Sequence, residues 1–128
     1  MRVTKNNMDD LETLRLHDSF LKQISYSYDE KSARILLDIT ETISSEHNQR
    51  YCILTLKNIA EFRVTNYEPW GTGHHVADFY WEELEGKIRN QYITEWQSAP
   101  NIFMVELLLN SGDKITAYLE EVEICYSN

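Results

Sequence analysis

Apolar and polar positions alternate residue by residue through most of the stretch Leu16 to Ile39. Ile24, Tyr26 and Tyr28 interleave with Gln23, Ser25 and Ser27; Ala33, Ile35, Leu37 and Ile39 interleave with Arg34, Leu36 and Asp38. Successive side chains of a strand point to opposite faces, so each run predicts a strand with one buried face. Asp29-Glu30-Lys31-Ser32 between them supplies a polar turn, and the whole predicts a β-hairpin. Its register is expected to be firm, because a one-residue slip would turn the apolar set outward.

The same alternation recurs downstream. Cys52, Leu54 and Leu56 oppose Tyr51 and Ile53; Lys57-Asn58 interrupts, and Ala60, Phe62 and Val64 resume. This predicts a long strand with a bulge, or two pieces with a bend. Val76 to Glu85 fits a helix by spacing and a strand by its aromatics, and a strand or an irregular extension is preferred. Ile88 to Gln97 predicts another strand. Ile102 to Leu109 is nearly continuous in apolar residues, as expected of the centre of a sheet. Asn110-Ser111-Gly112-Asp113 predicts a hairpin turn into a last strand, Lys114 to Tyr126, whose apolar parity shifts near Glu120 and Glu121. Glu41 to Arg50 and Asn66 to His75, the latter holding Pro69, Gly71 and Gly73, predict loops. Residues 9–15, capped by Asn7 or Asp9, predict one or two helical turns or an irregular lead-in. The expectation is a mainly β, single-domain chain over residues 1–128: an antiparallel β-sandwich or strongly curved sheet of about seven to nine strands, with at most one or two short helices.

The chain is 128 residues long, within the range of a single domain able to bury a core without staples. Charge narrows the function classes. The net charge is −9, with 12 Lys and Arg against 21 Asp and Glu, which argues against a nucleic-acid binder that must neutralise phosphates. Residues 1–64 are nearly balanced, with nine basic and ten acidic residues; residues 65–128 hold three and eleven. An acidic half steers basic partners, or simply confers solubility. Cys52 and Cys125 form no CxxC motif. The opening MRVTKNNMDDLETL has no apolar core, and no run approaches ~18 apolar residues. A cytoplasmic chain, not inserted in a membrane, with two buried reduced thiols is expected.

Chemistry-bearing clusters are few. His74-His75 with Asp78 and Glu82 has metal-ligand residue types, but adjacent histidines on a strand point apart and no HExxH spacing is present, so no metal or cofactor is expected. His17-Asp18-Ser19 holds the residue types of a hydrolytic triad. Consecutive side chains do not converge as a relay, so a turn in which Asp18 or Ser19 bonds nearby N–H groups is the preferred reading and no catalytic residue is assigned. Glu82, Glu83, Glu85, Glu120, Glu121 and Glu123 carry much of the acidic half's charge. Trp70, between Pro69 and Gly71, is expected to be partly exposed.

The order of LHDS at 16–19, an alternating hairpin, KNIAEFRV at 57–64 and PWG at 69–71 resembles small bacterial immunity proteins of polymorphic-toxin systems. The resemblance covers residues 16–75. It implies a β-rich cytoplasmic protein, not an enzyme, that neutralises a toxin by binding it. A basic toxin would suit the acidic half, and the expected contact residues are Trp70, Asp78, Glu82, Glu83, Glu85, Glu120, Glu121 and Glu123. The alternatives are a barrel-like binder of a small molecule or peptide, with a pocket at Trp70, Tyr80 and Trp96, and a structural or oligomerising module.

Overall fold

The computed structural model of the chain describes residues 1–40, 49–65, 73–84, 87–88 and 97–128. Among these residues nine strands and a single short 3-10 helix follow one another: β1 (Arg2–Thr4), the helix (Lys5–Thr13), β2 (Phe20–Ser27), β3 (Ser32–Asp38), β4 (Tyr51–Val64), β5 (Val76–Glu83), β6 (Lys87–Ile88), β7 (Gln97–Ser98), β8 (Phe103–Leu109) and β9 (Lys114–Ser127). β6 and β7 pair with each other. The rest form one antiparallel sheet in the order β2-β3-β4-β9-β8-β5, with β1 added beside the second half of β9. The protein is therefore mainly β, as the alternation predicted.

The sheet curls. Its two end strands, β2 and β5, meet at one corner: Val76 N–H donates to Ser19 C=O at 2.9 Å, Asp18 N–H to Val76 C=O at 2.9 Å and Leu21 N–H to His74 C=O at 2.9 Å. Beyond this corner the strands run in opposite directions, since the bridge between Phe20 and His75 is antiparallel. The sheet is thus strongly curved but not closed into a barrel.

The bend is written into the two longest strands. Leu56 faces Val122 and Ile59 faces Leu119, and all four are buried. A step of three residues would put Ile59 on the opposite face from Leu56. Asn58 corrects this by adopting a left-handed conformation, φ 54°, which Asn tolerates better than most residues. β9 likewise steps from buried Leu119 to buried Val122 across Glu120 and Glu121, without a left-handed residue. Both strands bend at one level and the apolar set stays inside. A bulge is present, but the register slips between Ile59 and Glu61, at exposed Ala60, and not at Lys57-Asn58; the buried residue that follows Asn58 is Ile59.

Inside the curl lies one cluster that includes Leu37, Ile39, Leu54, Phe103, Leu119 and Val122. The 3-10 helix spans Lys5–Thr13, not 9–15, and is capped by Thr4, not Asn7 or Asp9. The Asn7 side chain instead accepts the Thr4 N–H at 2.7 Å. The helix inserts Leu11, fully buried, into the core.

Three further expectations are corrected. Ile102–Leu109 is not central: the centre is β4 with β9, and β8 is next to last. The continuous burial of Phe103, Met104 and Val105 raised the same signal as a central strand. Tyr26, on the end strand β2, and Tyr28, in the turn after it, are exposed, because the inner face runs out there. Cys52 is buried but Cys125 is exposed; both are free. They sit one residue out of register on β4 and β9, where Cys52 faces Tyr126 and Ile53 faces Cys125. Their side chains therefore leave opposite faces.

Candidate functional site

Alternate residues of β5 point outward. Asp78, Tyr80 and Glu82 are exposed, while Phe79 and Trp81 pack half-buried against the core and Ala77 sits in the register slip after buried Val76. Cross-strand register extends this into rows. Tyr80 lies beside Glu106, then Thr116, then Arg63; Glu82 lies beside Met104, then Tyr118, then Glu61.

Within these rows some acids are already neutralised. Arg63 meets Glu61 through Nε at 3.0 Å and Nη2 at 2.9 Å, and Lys114 Nζ stands 3.7 Å from Glu106. Asp78 and Glu82 have no cation beside them among the described residues. The Tyr80 phenol is pushed up by partial desolvation, then by the carboxylates of Glu82 and Glu106. Glu83, at the strand's end, has Lys5 Nζ at 3.7 Å. That ammonium is held at 2.8 Å by the Pro100 carbonyl.

The acids of β9 are differently placed. Glu121 is bridged by Arg2 and by Lys57 Nζ at 3.5 Å, and Lys57 reaches Glu123 at 2.5 Å. The hydrogen bond from Lys57 is the main cause that lowers the Glu123 carboxyl, and the same contact raises Lys57. Glu120 and Glu121 border an open groove of about 210 Å³, with Arg2, Thr4, Lys5, Asn6, Asn58 and Asn101 as its other walls. Its charges are of both signs and partly spent on each other. The structure thus separates the acids that the charge count had grouped: among the described residues Asp78 and Glu82 have no cation beside them, Glu83 is met by Lys5, Glu120 has no ion pair, and Glu121 and Glu123 staple β1, β4 and β9. Trp70 and Glu85, also expected at the contact, lie outside the described residues.

The other candidate sites come out as follows. Ser19 is fully buried, whereas the side chains of His17 and Asp18 are 71% and 59% exposed, so the three do not converge on a reacting atom. The turn is built by backbone: Ser19 N–H donates to Leu16 C=O at 2.9 Å, and Asp18 takes the left-handed φ of 67°. The Asp18 carboxylate meets His17 Nδ1 at 3.1 Å instead of a nearby N–H. His74 stacks on Phe20, centroids 5.3 Å apart, and His75 meets the same ring edge-on at 5.2 Å. Among the described residues no group of three or more His, Cys, Asp or Glu is placed to hold a metal ion. Of the aromatics expected to line a pocket, Tyr80 lies on an open sheet face, and Trp70 and Trp96 lie outside the described residues. No helix among the described residues is long and apolar enough to cross a membrane.

Arg2 and Lys57 were not singled out from the sequence. Their role depends on pairing β1 with β9, an ion pair 119 residues apart in the chain, for which local pattern holds no signal. Lys57 did carry one, since it marks the break in alternation. No protein-family profile and no curated protein sequence matches the chain.

Proposed function

We propose that the chain is a non-catalytic, cytoplasmic protein-binding module that uses the outer face of β5, at Asp78, Tyr80 and Glu82, to hold a basic protein. An immunity protein that neutralises a basic toxin is the specific form of this reading, and it rests on the resemblance of residues 16–75. The observation that supports it is the contrast between the two acidic strands. Glu121 and Glu123 on β9 are matched by Arg2 and Lys57, while among the described residues Asp78 and Glu82 flank an exposed tyrosine with no cation beside them. Tyrosine is enriched at protein contacts because it offers a large rigid ring with a polar tip, and uncompensated charge steers a partner of opposite sign.

The test is binding to a basic toxin domain encoded beside this chain, followed by calorimetry at low and physiological salt. Affinity is expected to fall with salt. Asp78→Lys with Glu82→Lys is expected to weaken binding at least about tenfold, equivalent to ~1.4 kcal/mol. Glu123→Gln, which touches a pair internal to the fold, is expected to leave it within about twofold. Binding that ignores both salt and the β5 reversals overturns the reading.

A further inference from the structure

We infer that the partner docks by adding an extended strand to the open edge of β5, and that this strand is basic on one face and apolar on the other. The inference rests on the reading of β5 as the contact surface and gives it a mode and a partner chemistry.

Among the described residues the edge is available. β5 pairs with β8 on one side only. On its other side the corner with β2 holds His74 and Val76, and Lys5 reaches Glu83. Among the described residues no strand pairs along the run between them, Ala77 to Glu82. In an antiparallel pair every second residue turns its N–H and C=O away from the neighbour, so this run presents unpaired donors and acceptors outward.

The two ends of the sheet are not alike. On β2, exposed Lys22 sits where the register slips between Leu21 and Gln23; a lysine in a bulge is a device that blunts an edge. β5 slips only at its start, between Val76 and Asp78, and is regular from Asp78 to Glu83. It carries no Lys, Arg or Pro.

Side-chain alternation selects the occupant. Asp78 and Glu82 project on the outer face, two residues either side of Tyr80. A second copy added antiparallel about Tyr80 would set carboxylate against carboxylate, so self-pairing is disfavoured. A strand with lysine or arginine opposite Asp78 and Glu82 makes attractive cross-strand pairs instead. On the inner face Phe79 and Trp81, 5.9 Å apart, are half-buried against the core. Apolar residues at the intervening positions of the incoming strand would cover what they leave exposed. Backbone bonds supply affinity and the alternate side chains supply selection, as in other strand additions.

The test uses the full chain and two probes of equal charge: a short synthetic peptide of alternating lysine and valine, and the same peptide N-methylated at alternate backbone amides. NMR amide exchange on the protein reads the location. The unmethylated peptide is expected to bind and to slow exchange between Ala77 and Glu82. Methylation, which removes the bonding N–H groups of one edge, is expected to weaken binding at least about tenfold. Asp78→Asn with Glu82→Gln should weaken it without altering the free protein's spectrum elsewhere. Equal binding by the two peptides, protection that maps to β2 or another region, or no protection of β5 by either peptide overturns the inference. The functional reading fails separately, by a basic toxin that binds without regard to salt or to the β5 acids.

Discussion

Cys52 should make the fold sensitive to alkali. The thiol is fully buried on β4, with Leu37 of β3 and Tyr126 of β9 as its cross-strand neighbours. Burial is the main cause that pushes it up from 9.0 to about 12, and Cys125 adds to it. The sign follows from which state holds the proton. Below about pH 9 both states are protonated and nothing is lost. Between about 9 and 12 the unfolded chain gives up the proton and the folded chain keeps it, so stability falls as pH rises. At about pH 10.5 the gap is about 1.5 pH units, or ~2 kcal/mol at 1.36 kcal/mol per unit. That is a large share of the ~5–15 kcal/mol a domain of this kind has to lose. Cys52→Ala removes the titration at the cost of a small cavity. Urea unfolding of both proteins, in reductant, at about pH 7.5 and 10.5 isolates the effect, because the cavity cost is common to both pH values. Wild type is expected to lose ~2 kcal/mol more than the variant over that interval. Tyrosine and lysine ionisation weighs on both proteins, and only Tyr126, whose phenol is pushed up by burial and then by Cys52, changes its share in the variant. Equal losses in the two proteins would refute the assignment of the alkaline limb to Cys52.

The remaining predictions concern turns and buried polar groups. Gly73 and Gly112 have similar backbones, φ 84° and 91°, but an added Cβ at Gly73 would lie 2.7 Å from Ser111 Cβ, while at Gly112 it would meet nothing within 4 Å. Gly112→Ala should cost ~1 kcal/mol and Gly73→Ala about 1–3 kcal/mol more in urea unfolding; equal costs would contradict the close approach. The buried Ser19 Oγ has no hydrogen-bond partner among the described residues. Ser19→Ala should therefore stabilise by ~1 kcal/mol, a Tm rise of about 3–5 °C by calorimetry, and a fall would mean that the hydroxyl has a partner. Asp38 is held low by hydrogen bonds from Thr40, then by Arg50. Its contribution is present above the unfolded pKa near 3.8 and is lost as pH falls through the lower folded value, so Asp38→Asn should flatten the acid limb of a stability–pH curve. An unchanged limb would remove Asp38 from acid unfolding.

Period-two alternation was enough to find most of the described strands, because a strand with one buried face writes that pattern locally. The break at Lys57-Asn58 and the parity shift at Glu120-Glu121 were each legible. That they are one bend, facing each other across β4 and β9, was not, because pairing couples residues some sixty positions apart. The same limit made β8 look central: continuous burial reports that both faces are covered, not how many strands lie beyond.

Charge behaves in the same way. The sequence by itself determined that the second half is acidic and that strands there alternate. Only the tertiary structure decided which acids are spent. β1 laid beside β9 brings Arg2 to Glu121, and the bend brings Lys57 to Glu121 and Glu123, while among the described residues Asp78 and Glu82 have no cation beside them. The physical reason is range. Side-chain periodicity is set by neighbouring residues, whereas ion pairing depends on distances of a few ångströms between strands that only the closed register creates.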